Sequence, residues 1–119
     1  MVGANLAKKA SFEGQHHQYL VGACIVRSGH VLSIGYNKNK THPMMGKFRH
    51  LHAEVDALLK VKDRDTLRGS DIYVTRQNKN GRVGLAKPCS TCMGHLRSFG
   101  VRNVYYTGSN GEIQKLTIE

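Results

Sequence analysis

Two short clusters of chemically active side chains, each at the start of a predicted helix, constrain this chain more than any other feature of its sequence. His52-Ala53-Glu54 opens one helix and Pro88-Cys89-Ser90-Thr91-Cys92 opens another. One imidazole and two thiols form a nitrogen and sulfur donor set suited to zinc. Three protein ligands leave a fourth position for water, which separates an open catalytic site from a closed structural one; the ion would lower the pKa of that water towards ~7. Glu54 lies two residues past His52 in the same first turn, so it can reach the metal site without being a ligand and is placed to carry a proton. Both cysteines lie near a helix N-terminus, where the dipole favours thiolate over thiol. The two helices must bring their N-termini together, which follows naturally when both leave strand ends on one side of a sheet.

The rest of the chain supplies such a sheet. Asn5 to Tyr19 is polar and only loosely amphipathic, and part of it reads as a helix, interrupted near Gly14. Leu20 to Arg27 and Val31 to Tyr36 are apolar and β-branched, and Ser28-Gly29-His30 between them suggests a short hairpin. Asn37 to His50 is a basic loop of a length that tends to be functional. His52 to Lys62 follows as a helix with Val55, Leu58 and Leu59 on its apolar face. Asp71 to Arg76 is a strand and Gln77 to Lys87 a second basic loop. Cys89 to Phe99 is a helix stopped by Gly100. Val101 to Thr107 and Ile113 to Ile118 are the last strands. Only about five residues join these two, whereas a parallel crossover needs a dozen or more, so they form an antiparallel hairpin.

Composition narrows the class. A length of 119 residues fits one domain, 1–119, and hydrophobic and charged contents of 39% and 22% fit a soluble folded chain. No apolar run approaches the ~20 residues of a membrane span, and the start MVGANLAKKA lacks a signal peptide's apolar stretch, so a cytoplasmic protein with no membrane partner is expected. Eighteen Lys and Arg against eight Asp and Glu give a formal net charge of +10, which favours anionic partners. Three cysteines are an odd set, against a disulfide framework. Cys24, inside LVGACIV, reads as a small buried hydrophobe.

The order His52-Ala53-Glu54 … Pro88-Cys89-Ser90-Thr91-Cys92 resembles the signature of the zinc-dependent cytidine and deoxycytidylate deaminases, H-x-E followed by P-C-x-x-C. The resemblance extends from ACIVRSGHVLSIGYN to VRNVYY. It implies a three-layer α/β/α sandwich around a five-stranded mixed sheet, and hydrolytic replacement of an exocyclic amine by oxygen with release of ammonia. By the same resemblance His52, Cys89 and Cys92 would bind one zinc ion per chain, and Glu54 would shuttle protons. Asn37, at the end of GYN, would contact the sugar, and Ala53 would present its backbone amide to the base. Pro88, Lys38, Lys40 and His42 are the further candidates for substrate contacts. The family usually forms homo-oligomers, and one is expected here.

The branch of the family is less sharply marked. Free cytidine deaminases resemble this chain less at the first ligand, where they carry C-A-E, and after GxN, where they place a glutamate and this chain has Asn39 or Lys40. Histidine at position 52 is closer to the deoxycytidylate and tRNA-adenosine deaminases. Those branches insert a helix between the last two strands, and the short link from Thr107 to Ile113 is closer to the nucleoside branch. Charge favours a nucleotide: Lys38, Lys40, His42, Lys47 and Arg49 on one loop, and Arg76, Lys79, Arg82 and Lys87 on the other, suit a phosphate. The expected reaction is dCMP to dUMP. A cytidine or deoxycytidine deaminase is an alternative. So is a deaminase of single-stranded DNA or RNA, acting on cytosine or adenine, and so is a non-catalytic zinc-stabilised nucleic-acid-binding module.

Overall fold

A computed structural model of the chain describes residues 2–12, 19–38, 42–45, 51–78 and 80–118. Its helices are α1 (Val2–Ser11), α2 (Ala53–Leu59) and α3 (Ser90–Ser98). Its strands are β1 (Tyr19–Arg27), β2 (His30–Tyr36), β3 (Asp71–Asn78), β4 (Val83–Gly84), β5 (Asn103–Thr107) and β6 (Ile113–Thr117). The expected alternation is present, with differences at some element ends and one added strand. Helix α1 begins at Val2, ahead of the expected Asn5, and ends at Ser11 inside the stretch expected to hold a helix; residues 13–18, with the expected break near Gly14, lie outside the described set. The two-residue β4 falls inside the second basic loop, where no strand was expected.

The strands form one mixed sheet in the order β2-β1-β3-β5-β6, with β4 hydrogen-bonded to β3 off this path. Strand β1 runs antiparallel to β2 and β3, β3 runs parallel to β5, and β5 and β6 form the expected antiparallel hairpin. The β1–β2 hairpin turns through Ser28 and Gly29, whose φ angles of 50° and 80° are both positive. That is the primed two-residue turn whose twist matches the strands it joins.

Two glycines establish the layers. Directly opposed residues of an antiparallel pair share a face, and successive residues alternate between faces. Gly22 pairs with Tyr36 and Ala23 with Gly35, so Gly22 and Gly35 point to opposite faces. A Cβ on Gly22 would overlap the α1 backbone at Ala7 and Ser11, and one on Gly35 would overlap the α2 backbone at Ala53 and Ala57. Helix α1 therefore lies against one face and α2 against the other, each close enough to exclude a side chain. Beside α1, Gln77 Nε2 donates to Ser11 Oγ at 2.8 Å and the Tyr73 and Tyr105 rings stack at 4.6 Å.

The main core fills the other face. Ala23, Ile25, Ile72, Val74 and Val104 from the sheet pack on Ala57, Leu58, Leu96 and Val101 from the α2 and α3 layer. Full burial of such a side chain is worth about 1.5–3 kcal/mol, so this face anchors α2 and α3 where the sequence clusters sit. Cys24 is fully buried, as expected, and burial pushes its thiol up to about 11. Among the described residues, no helix is long and apolar enough to cross a membrane.

Candidate active site

The two chemical clusters meet because both are helix N-caps. His52 caps α2 and Cys89 caps α3, each with extended backbone (φ −72°, ψ 152° and φ −68°, ψ 168°) and neither spending its side chain on the cap. Their side chains are thereby available to each other, and Cys92, one turn into α3, points the same way. His52 Nδ1 lies 3.3 Å from Cys92 Sγ and 3.7 Å from Cys89 Sγ. The three candidate ligand atoms all lie within 4.8 Å of one another.

This arrangement fits zinc. With Zn–N near 2.0 Å and Zn–S near 2.3 Å, a tetrahedral ion separates a nitrogen from a sulfur ligand by roughly 3.5 Å. The two observed separations bracket that value. The surroundings also call for a cation. Burial first, then the Glu54 carboxylate and the neighbouring Cys89, push the Cys92 thiol far above its ordinary value. The expected pull of the helix dipole towards thiolate is outweighed there, so a Cys92 thiolate needs a positive partner at the sulfur.

Glu54 is the second residue of α2 and only 5% exposed. Burial raises its carboxyl above the ordinary range, opposed by hydrogen bonds to its own backbone amide and to Cys92. A carboxyl held up in this way binds a proton more readily than an exposed one.

A cavity of about 310 Å³ opens over this cluster. His52, Ala53, Glu54 and Cys89 form part of its lining; Asn37 and Val21 contribute from the β2 and β1 ends, and Arg76, Leu85, Ala86 and Lys87 complete it. Asn37 is held by β1: its Oδ1 accepts from Val21 N at 3.0 Å and its backbone N–H donates to Val21 O at 3.2 Å. Thr107 at the end of β5 holds the opposite wall. Its hydroxyl donates to Gly84 O at 2.7 Å, and its carbonyl accepts from Ala86 N at 2.8 Å.

The other sequence candidates are placed differently. Lys38 does not line the cavity: its Nζ lies 2.9 Å from Asp56 Oδ1, while Lys60 Nζ lies 3.0 Å from Oδ2, which also accepts from Tyr36 N at 3.1 Å. His42 Nδ1 accepts from Met44 N at 3.1 Å, and Pro88 is buried beside Cys89; neither lines the cavity. Lys40, Lys47, Arg49 and Lys79 lie outside the described residues.

Sequence reasoning passed over Asp56, Val21, Leu85 and Ala86. Asp56 carried a usable signal, since a carboxylate one helical turn past His52 on a helix this apolar has to find cations. Burial alone would raise Asp56; its bonds to Lys38, Lys60 and the Tyr36 amide outweigh this and hold it below the usual carboxylate value.

Residues 2–108 match the family model of the cytidine and deoxycytidylate deaminase zinc-binding region. No curated protein sequence matches the chain. Among solved structures, the dCMP deaminase of cyanophage S-TIM5 in its apo form is 25% identical, with a TM-score of 0.66 over 90% of this chain and 80% of that one. The same phage enzyme in complex with dCMP and dUMP is 26% identical, with a TM-score of 0.60 over 88% and 75%. A cytidine deaminase from Burkholderia pseudomallei shares the fold at 21% identity, with a TM-score of 0.72 over 98% of this chain and 90% of that one. With the family model spanning residues 2–108 of the 119, and His52, Cys89 and Cys92 gathered where a metal ion could be held, this chain belongs to the cytidine and deoxycytidylate deaminase family.

Proposed function

We propose that the protein is a zinc-dependent hydrolase that deaminates a cytosine nucleotide, dCMP to dUMP, releasing ammonia. The observation that carries the nucleotide is the cavity rim. Arg76 and Lys87 line it, and Glu54, at the chemical end, is the one carboxylate among the described lining residues. Charge-assisted hydrogen bonds from such a pair suit a 5′-phosphate. The likeness to a phage enzyme crystallised with dCMP and dUMP supports the same choice.

His52, Cys89 and Cys92 would hold the zinc ion. When bound there, it supplies Lewis acidity that makes water a competent nucleophile near neutral pH. The chain's own groups do the rest. Glu54 accepts a proton from the attacking water and delivers it to N3 of the ring as the C4–O bond forms. It then carries the second proton to the departing amine, so that water and the aminopyrimidine yield the oxo-pyrimidine and ammonia. Ala53, at the first position of α2, offers its backbone amide to the base edge, and Asn37, fixed by Val21, faces the sugar. Val21, Leu85 and Ala86 exclude bulk water around the ring.

An ammonia-release assay on dCMP, deoxycytidine, CMP, cytidine and adenosine, with and without chelator, tests this reading. It predicts chelator-sensitive turnover and at least a tenfold preference for dCMP over deoxycytidine, equivalent to ~1.4 kcal/mol or more from the phosphate contact. Equal turnover of the two would remove the nucleotide from the reading, and no release from any of them would overturn it altogether.

A further inference from the structure

The active-site cavity has a neighbour. A second cavity of about 380 Å³ shares Arg76 and Leu85 with it, so these two residues form a common wall. Beyond that wall its lining includes Asn78, Arg82, Gly84 and Ser109, and none of its described lining residues is acidic.

Local structure holds this second cavity in shape. Asn78 Oδ1 accepts from both Asn80 N and Arg82 N at 2.9 Å, and Asn78 N donates to Arg82 O at 2.9 Å, which fixes the turn that presents Arg82. Gly84 pairs with Arg76 across β3 and β4, so both face the same side of the sheet. A Cβ on Gly84 would meet no atom within 4 Å, so the space above it is open floor. Leu85 adds an apolar surface that is 46% exposed. Two arginines among the lining residues, with hydroxyl and carboxamide groups and an apolar side chain, suit a phosphate ester with something attached to it.

We propose that this second cavity is an extension subsite, and that the substrate class is a cytosine nucleotide extended at its 5′-phosphate. The inference rests on the reading that Arg76 and Lys87 hold that phosphate. From Arg76 the extension leads into the second cavity, where Arg82 meets the next anionic group and Leu85 the apolar part. Two sources share this chemistry: further phosphates of a nucleoside triphosphate, and the preceding nucleotide of a single strand.

The experiment compares kcat/KM for dCMP, dCTP and a dinucleotide with thymidine on the 5′ side of deoxycytidine, in the wild-type chain, Gly84→Asp and Arg82→Glu. The Gly84 φ is not in the left-handed region, so an aspartate there adds bulk and negative charge to the open floor without backbone strain. At least one extended compound should exceed dCMP tenfold in the wild-type chain, and both variants should bring that ratio back towards one. A gain with dCTP alone assigns the subsite to polyphosphate, and a gain with the dinucleotide alone assigns it to a strand. Turnover of dCMP with no preference for either extended compound, or a preference untouched by both variants, overturns the subsite and leaves the deaminase standing. If no compound is deaminated, the functional reading falls. Calorimetric titration with inorganic tripolyphosphate then judges the subsite alone: tenfold weaker binding in Gly84→Asp and Arg82→Glu than in wild type sustains it, and equal binding removes it.

Discussion

Lys38, next to the cavity-lining Asn37, and Arg76, itself a lining residue, look alike in the sequence, each a cation in a basic stretch near a strand end. The structure places them differently. Arg76 lines the cavity with Lys87, whereas Lys38 turns to Asp56, its side chain only 18% exposed. A buried carboxylate accounts for where Lys38 turns. Asp56, 3% exposed on the apolar helix α2, would cost several kcal/mol if left unpaired. It therefore draws in Lys38, Lys60 and the Tyr36 amide together. A cation beside a binding cavity is not thereby a binding group; what it faces decides.

The largest effect should come from the Asp56 side. Asp56→Ala removes the acceptor shared by the Tyr36 amide and the Lys38 and Lys60 ammonium groups, of which Lys60 keeps its bond to Ile34 O at 3.1 Å, and should cost about 3 kcal/mol of stability, the low end for a broken buried pair because both lysines reach solvent. Denaturant unfolding of the zinc-loaded protein measures it; a loss below about 0.5 kcal/mol would show that the cluster is ornamental. Arg76→Ala comes next. Losing a hydrogen bond to a charged group is worth about 1.5–3 kcal/mol, so kcat/KM for dCMP should fall by roughly 10- to 100-fold while deoxycytidine is nearly spared. A parallel fall for both substrates would break the contrast between the two cations.

Lys38→Met should leave the dCMP to deoxycytidine ratio within about threefold of wild type and lower stability by about 1 kcal/mol, the upper end for a partly exposed pair. A collapse of that ratio would put Lys38 back at the phosphate. The smallest effect is one of pH. Because Asp56 is held below its ordinary value of 3.8, its contribution is complete above that pH and is lost as the pH falls further, through the depressed folded value. The stability gap between wild type and Asp56→Asn should therefore be flat above pH 5 and shrink below about 4. A gap that widened on acidification would reverse the assigned sign.

Much of this was legible in the sequence, for identifiable reasons. Spacing within one turn is fixed by the backbone, so His52 and Glu54, or Cys89 and Cys92, could be placed relative to each other from the chain alone. The direction of the β5–β6 link was legible for the same reason, because a short connection admits one geometry. Helix ends were less so: α2 stops at Leu59 rather than Lys62, since the last turn is closed by Lys60 and Val61 bonding back to Asp56 and Leu58. The fate of Lys38 was hidden because it depends on a carboxylate 18 residues away that only the fold brings near. Strand β4 was hidden because two residues carry no periodicity, and its pairing depends on Arg76 and Gln77 across the turn.

The account depends on His52, Cys89 and Cys92 sharing one ion with Glu54 acting beside it as a proton carrier, and Glu54→Gln tests this most directly. Metal analysis and ammonia release should be measured on the same samples of wild type and variant. The prediction is one zinc per chain in both, with deamination lowered by about 10²- to 10⁴-fold in the variant. A wild-type protein that deaminates without bound metal, or a variant that keeps both its zinc and its activity, would contradict the account.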